Sequence, residues 1–254
     1  MKRNETVRDK TVAAISDLQI CPSPNHDARP AQAVVDMILI HYTGMRTGEE
    51  ALARLTDPAA RVSAHYLIEE DGRIFALVPE ERRAWHAGLA SWEGRSDINA
   101  RAIGIELVNP GHAFGYRPFP DSQITALIAL IQDIRCRWRV SDCRILAHAD
   151  VAPLRKQDPG ELFPWNRLAA AGIGLWPAEN DWCADCRPAP LSALAAFGYG
   201  WLAQGDTETT AAVVRAFQRH FRPWRIDGRW DEECGRRLSW LLAAKEREES
   251  RSTV

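Results

Sequence analysis

The stretch "VVDMILIHYT", residues 34–43, restricts this chain more than any other segment of comparable length. It is apolar and partly β-branched, and it ends at a histidine and then at Gly44. Such a run reads as a buried strand that stops at a loop. It is too short to cross a bilayer, and no later run approaches the length of a membrane span.

The same logic extends along the chain. "AHYLIEEDGRIFALV" carries two alternating runs around Asp71 and Gly72, the pattern of a hairpin. In "AIGIELVNPG", Ile103, Ile105 and Leu107 face one way while Gly104, Glu106 and Val108 face the other. Between Asp121 and Val140 the period changes. Ile124, Leu127, Ile128, Ile131, Ile134 and Trp138 fall three or four apart, which predicts an amphipathic helix lying on the sheet. "CRILAH" gives one more short strand, again ending at a histidine. The expected class is α/β, a mixed central sheet flanked by helices with polar residues collected at strand ends.

A chain of 254 residues with 46% hydrophobic content can hold one large domain, or a medium and a small one. The division falls after residue 177. Residues 178–189, the polar, proline-bearing "AENDWCADCRPA", read as a linker. Residues 190–245 hold three short helical patterns and form a small all-helical unit. The last ten residues are expected to be disordered.

A net charge of −2 gives no basic field, so nucleic acid is not an expected partner. The N-terminal apolar stretch, Val12 to Ile15, is too short for the core of an export signal, which points to the cytoplasm, with the periplasm as the alternative. Six scattered cysteines in a chain of this size read as reduced thiols. Cys183 and Cys186 form a CxxC, but no second pair completes a metal site.

His41 and His148 each end a predicted strand, and Asp158 follows on a loop stiffened by Pro153 and Pro159. Two imidazoles and a carboxylate suit Zn²⁺ with a fourth position open, the mark of a catalytic site. A structural, hydrogen-bonded histidine is the competing reading for each.

Five stretches in this order, "ILIHYTG", "SAHYLIEEDG", "AWHAG", "IGIELVNPG" and "AHADVAPLRKQDPG", resemble the zinc-dependent N-acetylmuramoyl-L-alanine amidases. That family is related in fold to T7-type lysozyme and peptidoglycan recognition proteins. The resemblance covers about residues 20 to 177. "VRAFQRHFRPWRIDGRWDEEC" is similar to a three-helix peptidoglycan-binding module. The resemblance implies that His41, His148 and Asp158 bind zinc, that Glu106 is the catalytic carboxylate, and that Lys156 is the basic residue beside the reacting carbonyl.

Tyr42, His65, Trp85, His86, Asn99 and Arg101 are candidates for substrate contact. Supporting or structural places are open for His65 and His86, core packing for Trp85 and Trp92, and a surface ion pair for Asn99 and Arg101. The implied reaction cleaves the amide between the lactyl group of N-acetylmuramic acid and L-alanine, in muropeptides or the sacculus. Recycling is the expected task, with a non-catalytic muropeptide-binding protein as the alternative. His26, His112 and His220 have no chemical neighbours in the sequence.

Overall fold

In the computed structural model, which describes residues 18–178 and 187–252, the apolar run becomes strand β3 (Met37–Tyr42) inside a six-stranded sheet. The other members are β1 (Leu18–Ile20), β4 (Tyr66–Ile68), β5 (Ile74–Ala76), β7 (Ala102–Leu107) and β8 (Ile145–Ala147), in the order β1-β5-β4-β7-β3-β8. β3 runs parallel to β7 and β8, β4 runs parallel to β7, and only the β4–β5 hairpin is antiparallel. The sheet is therefore mixed, and the hairpin turns where Asp71 and Gly72 predicted. A separate two-stranded sheet pairs β2 (His26–Ala28) with β6 (Arg82–Ala84), both of which the sequence pattern left unmarked.

Met37, Ile38, Leu39 and Ile40 are all fully buried, so both faces of the sheet are covered. Helix α3 (Asp121–Arg137) lies on one face and buries Ile124, Leu127, Ile131 and Ile134 in the main core. Gln123, also buried, donates to Ile68 O and Val108 O and so pins the helix start to two strand ends. On the other face α1 (Gly48–Thr56) packs Ala51 and Leu55 against Leu67, Phe75 and Val108. Thr47 starts α1 by accepting from Glu50 N, the usual service of an N-cap hydroxyl. Shorter helices follow: α2 (Gly111–Phe114), α4 (His148–Val151) and α5 (Trp165–Ala170).

The three C-terminal helical patterns are present as α6 (Leu194–Phe197) with its flanking turns, α7 (Thr207–Phe221) and α8 (Glu232–Ser252). They share one continuous hydrophobic core with the sheet. Trp92 is fully buried between Phe197 and Tyr199, with ring centroids at 5.8 and 4.9 Å, and Gly198 lets the backbone pass. A Cβ on Gly198 would lie 2.2 Å from the Trp92 indole.

Helix α8 also corrects the expectation of a disordered tail, since it continues to Ser252. Lys245 Nζ binds Glu93 at 2.9 Å, and Glu248 accepts from the backbone N–H groups of Asp142 and Cys143 at 3.0 Å each. Partners on the sheet domain hold a charged sequence that would not order by itself. Cys183, Cys186 and most of the predicted linker lie outside the described residues. No helix among the described residues is long and apolar enough to cross a membrane.

Because Trp92 fills the seam between sheet and C-terminal helices, Trp92→Ala should cost about 3–5 kcal/mol, the range for a large buried aromatic. Urea unfolding followed by circular dichroism checks this, and a loss below about 1 kcal/mol would mean that the seam is loosely packed.

Candidate active site

Parallel pairing sets the site. His41 of β3 stands in register with Glu106 of β7, so both side chains arrive at the same end of the sheet. His148 was expected to end the strand, but β8 stops one residue earlier, at Ala147, and His148 opens α4. The loop that follows returns Asp158 to this point, held there by Ala149 N donating to Asp158 O at 3.0 Å.

The result is a tight cluster of donors. His41 Nδ1 lies 2.9 Å from His148 Nδ1, and Asp158 Oδ2 lies 3.1 and 3.0 Å from the two nitrogens. All three residues are buried. The Ala87 carbonyl fixes the tautomer of His148. His148 Nε2 sits 3.0 Å from Ala87 O, a carbonyl that can only accept, so the neutral ring carries its proton there and presents a lone pair at Nδ1. His41 Nε2 is likewise engaged, 3.1 Å from His86 Nδ1. With the His41 proton on Nε2, lone pairs from two imidazoles and a carboxylate point at one small volume, which fits a divalent cation. Histidine ligands oriented through the far ring nitrogen are the usual arrangement in metal sites.

Electrostatics agree with this geometry. Burial, reinforced by the neighbouring His148, pushes His41 down to about 4. Burial alone would raise Asp158, but His148 and His41 together hold it well below the usual carboxylate range. Glu106 is pushed up to about 8 by burial and by the Asp158 charge, with Lys156 opposing. Its Oε2 is buried without a hydrogen-bond partner, a costly state for a carboxylate with no task.

A cavity of about 190 Å³ opens beside the cluster. His41, Tyr42, His86, Glu106, His148, Lys156 and Asp158 line it, together with Met45, Arg54 and Leu55 from the α1 side.

Residues 31–161 match the family described as N-acetylmuramoyl-L-alanine amidase, Amidase_2. The chain belongs to this family. It is 40% identical over 230 residues to the N-acetylmuramoyl-L-alanine amidase AmiD of Escherichia coli K12, covering 81% of this chain and 82% of that one. A structure of that enzyme with anhydro-N-acetylmuramic acid-L-Ala-D-gamma-Glu-L-Lys superposes with a TM-score of 0.75 at 39% identity, over 85% of this chain and 92% of the other. AmpDh3 of Pseudomonas aeruginosa, in complex with anhydromuramic pentapeptide, gives 0.74 at 35% identity, over 84% and 92%. Both superpositions cover more of this chain than residues up to 177 could supply, so they include C-terminal helices. The 1,6-anhydro-N-acetylmuramyl-L-alanine amidase AmpD of Enterobacter cloacae is 35% identical over 171 residues, 61% of this chain and 89% of that protein.

Several sequence candidates fall elsewhere in the fold. Arg101 is buried in an ion pair with Asp36, its Nε and Nη2 at 2.8 and 2.6 Å from the carboxylate, so the fork offered to substrate is already occupied. Asn99 Oδ1 accepts from the backbone of His86 and Ala87, holding the carbonyl that orients His148. His65 is fully buried and joins strands, accepting from Gly104 N and contacting Arg82 O. Trp85 is half-buried with its side chain on Asp27, and Trp92 is core. None of these five lines the cavity. His86 does, and it also supports His41.

Sequence reasoning missed Ala87 and Arg155, whose Nη2 shares the Ala87 carbonyl at 2.5 Å. It also missed His112, which bonds the Tyr42 hydroxyl at 2.9 Å and stacks on Tyr116. The available signal was Gly104 in "GIEL". A Cβ there would stand 2.5 Å from the His86 ring, so glycine is what lets the imidazole lie against β7. Gly104→Ala should therefore destabilise the fold by about 1–3 kcal/mol through overpacking. Chemical denaturation measures it, and an unchanged midpoint would mean that His86 moves away freely.

Proposed function

We propose that this chain hydrolyses the amide between the lactyl group of N-acetylmuramic acid and L-alanine in anhydro-muropeptides, with His41, His148 and Asp158 holding Zn²⁺. The observation that carries the reading is the convergence of His41 Nδ1, His148 Nδ1 and Asp158 Oδ2 beside the unpartnered Glu106 carboxylate, in a chain of this family. Zinc bound by such a set polarises an amide carbonyl and makes water a nucleophile near neutral pH.

The protein's own groups supply the remaining chemistry. Glu106, on the cavity wall, would be returned to its ionised form by a divalent cation that offsets the Asp158 charge, and it then takes the proton of the attacking water and delivers it to the departing L-alanine nitrogen. Lys156 approaches from the Asp158 loop and stabilises the oxygen on which negative charge develops. Tyr42 closes one wall, its hydroxyl held by His112, and gives the sugar or peptide a firm surface.

Recycling of cell-wall fragments is the task supported by the anhydromuramic peptides bound in the structures of AmiD and AmpDh3. For residues 190–245 we propose contact with the polymeric wall, supported by the exposed indole of Trp224, which Arg237 backs at 4.5 Å. Trp224→Ala should then reduce retention on purified sacculi in a pelleting assay. Equal retention would remove that surface.

Activity is tested by incubating the purified chain with anhydro-muropeptides and identifying products by mass. The expected products are the free anhydro-sugar and the free peptide, and binding without cleavage would favour a recognition protein. Glu106→Gln should keep the metal while turnover falls by about 10²-fold or more. Asp158→Ala should lose metal and rate together, as read by elemental analysis. Near-full turnover in Glu106→Gln would move the proton-transfer role to another residue.

A further inference from the structure

Four residues, His148–Val151, make up α4, and the first of them is a member of the donor cluster. A single turn has no stability of its own, because nucleating a helix costs more than one hydrogen bond returns. Its position therefore depends on what grips it from outside. Besides the contacts of His148 with Ala87 and of Ala149 with Asp158, the grip comes from Asp150, which is fully buried. Asp150 Oδ2 accepts from Ala147 N at 2.8 Å and from His220 Nδ1 at 2.6 Å, while Oδ1 accepts from the Tyr199 hydroxyl at 2.6 Å. Two of those three donors come from the C-terminal helical unit.

The same unit holds the other side of the loop. The His220 ring lies between Phe221 and Trp165, the first residue of α5, with stacked centroids at 3.8 and 3.7 Å. Its neighbour Arg219 donates to Gln157 Oε1 at 3.4 Å, next to Asp158. Trp201 Nε1 adds a bond to Val151 O at 2.9 Å, at the end of α4.

We infer that Tyr199 and His220 are positioning residues for the metal site: through Asp150 they hold the turn that presents His148. The inference rests on the reading of His41, His148 and Asp158 as zinc ligands. Its physical basis is that a buried carboxylate stays in place only while its donors are present. Without Tyr199 or His220, Asp150 must turn toward other partners, and the His148 backbone turns with it. Metal sites are sensitive to such displacements, and loss of an outer partner commonly weakens binding 10- to 100-fold. The C-terminal helices would thus act on the reacting centre without entering the cavity, as part of one unit with the amidase sheet.

The test uses the full-length chain. Zinc affinity of Tyr199→Phe, His220→Ala and His220→Asn is measured by competition with a chromophoric chelator, alongside the melting temperature of each metal-free protein. Tyr199→Phe keeps the ring and removes one hydrogen bond, so it serves even if His220→Ala fails to fold. Asn can place an amide N–H where His220 Nδ1 stands. The expected result is zinc binding about tenfold weaker or more in Tyr199→Phe and His220→Ala, with His220→Asn recovering most of the loss. A folded Tyr199→Phe whose zinc affinity stays within about twofold of the parent overturns the inference, whatever its melting temperature, because a purely structural brace would lower melting alone. A parent chain that binds no zinc would overturn the ligand assignment instead, and the positioning role with it.

Discussion

Electron-pair donors buried within hydrogen-bonding distance of one another repel unless a proton or a cation lies between them. His41, His148 and Asp158 form such a set in this fold, away from water. Proteins retain a buried arrangement of this kind only when something compensates it. Much of the surrounding structure serves to aim the three donors. Parallel pairing of β3 with β7 and β8 brings two strand ends together, the Ala87 carbonyl and His86 orient the imidazoles, and the loop to Asp158 closes the third side. The Glu106 carboxylate is buried beside them with one oxygen unpartnered, and it acquires a purpose only in relation to that cluster.

Much of this was legible in the sequence, for reasons that depend on the residues. β3 could be read because a continuous apolar run has few alternatives to a buried strand, and α3 because its period is long and regular. The ends of both strands carried histidines, and that placed the donors. Arg101 and Asn99 could not be placed from the sequence, which gives side-chain chemistry without direction. Arg101 meets Asp36 across the fold, and Asn99 turns inward to the backbone of His86 and Ala87. β2 and β6 pair as three-residue segments, too short to show any periodicity. The tail of α8 looked disordered because residues 245–252 carry charges and serines with no apolar period, while in the fold Lys245 meets Glu93 and Glu248 caps the turn at Asp142 and Cys143.

The C-terminal helices illustrate the same limit on a larger scale. Their periodicity identified three helical segments, yet the residues that decide how they attach are a tryptophan and an aspartate in the other part of the chain. Trp92 receives Phe197 and Tyr199, and Asp150 receives Tyr199 and His220. A helical unit held at these two points forms a common core with the sheet. Binding of polymeric wall and bracing of the reacting centre are compatible tasks for it, since Trp224 lies on the surface and His220 lies in the interface.

One zinc ion should occupy the point shared by the three donors. Anomalous scattering on either side of the zinc absorption edge, from crystals grown with zinc, tests it most directly. The expected result is a single strong peak within coordinating distance of His41 Nδ1, His148 Nδ1 and Asp158 Oδ2, about 2.0–2.2 Å from each. A cavity without such a peak, in crystals of protein that cleaves muropeptide, would contradict it.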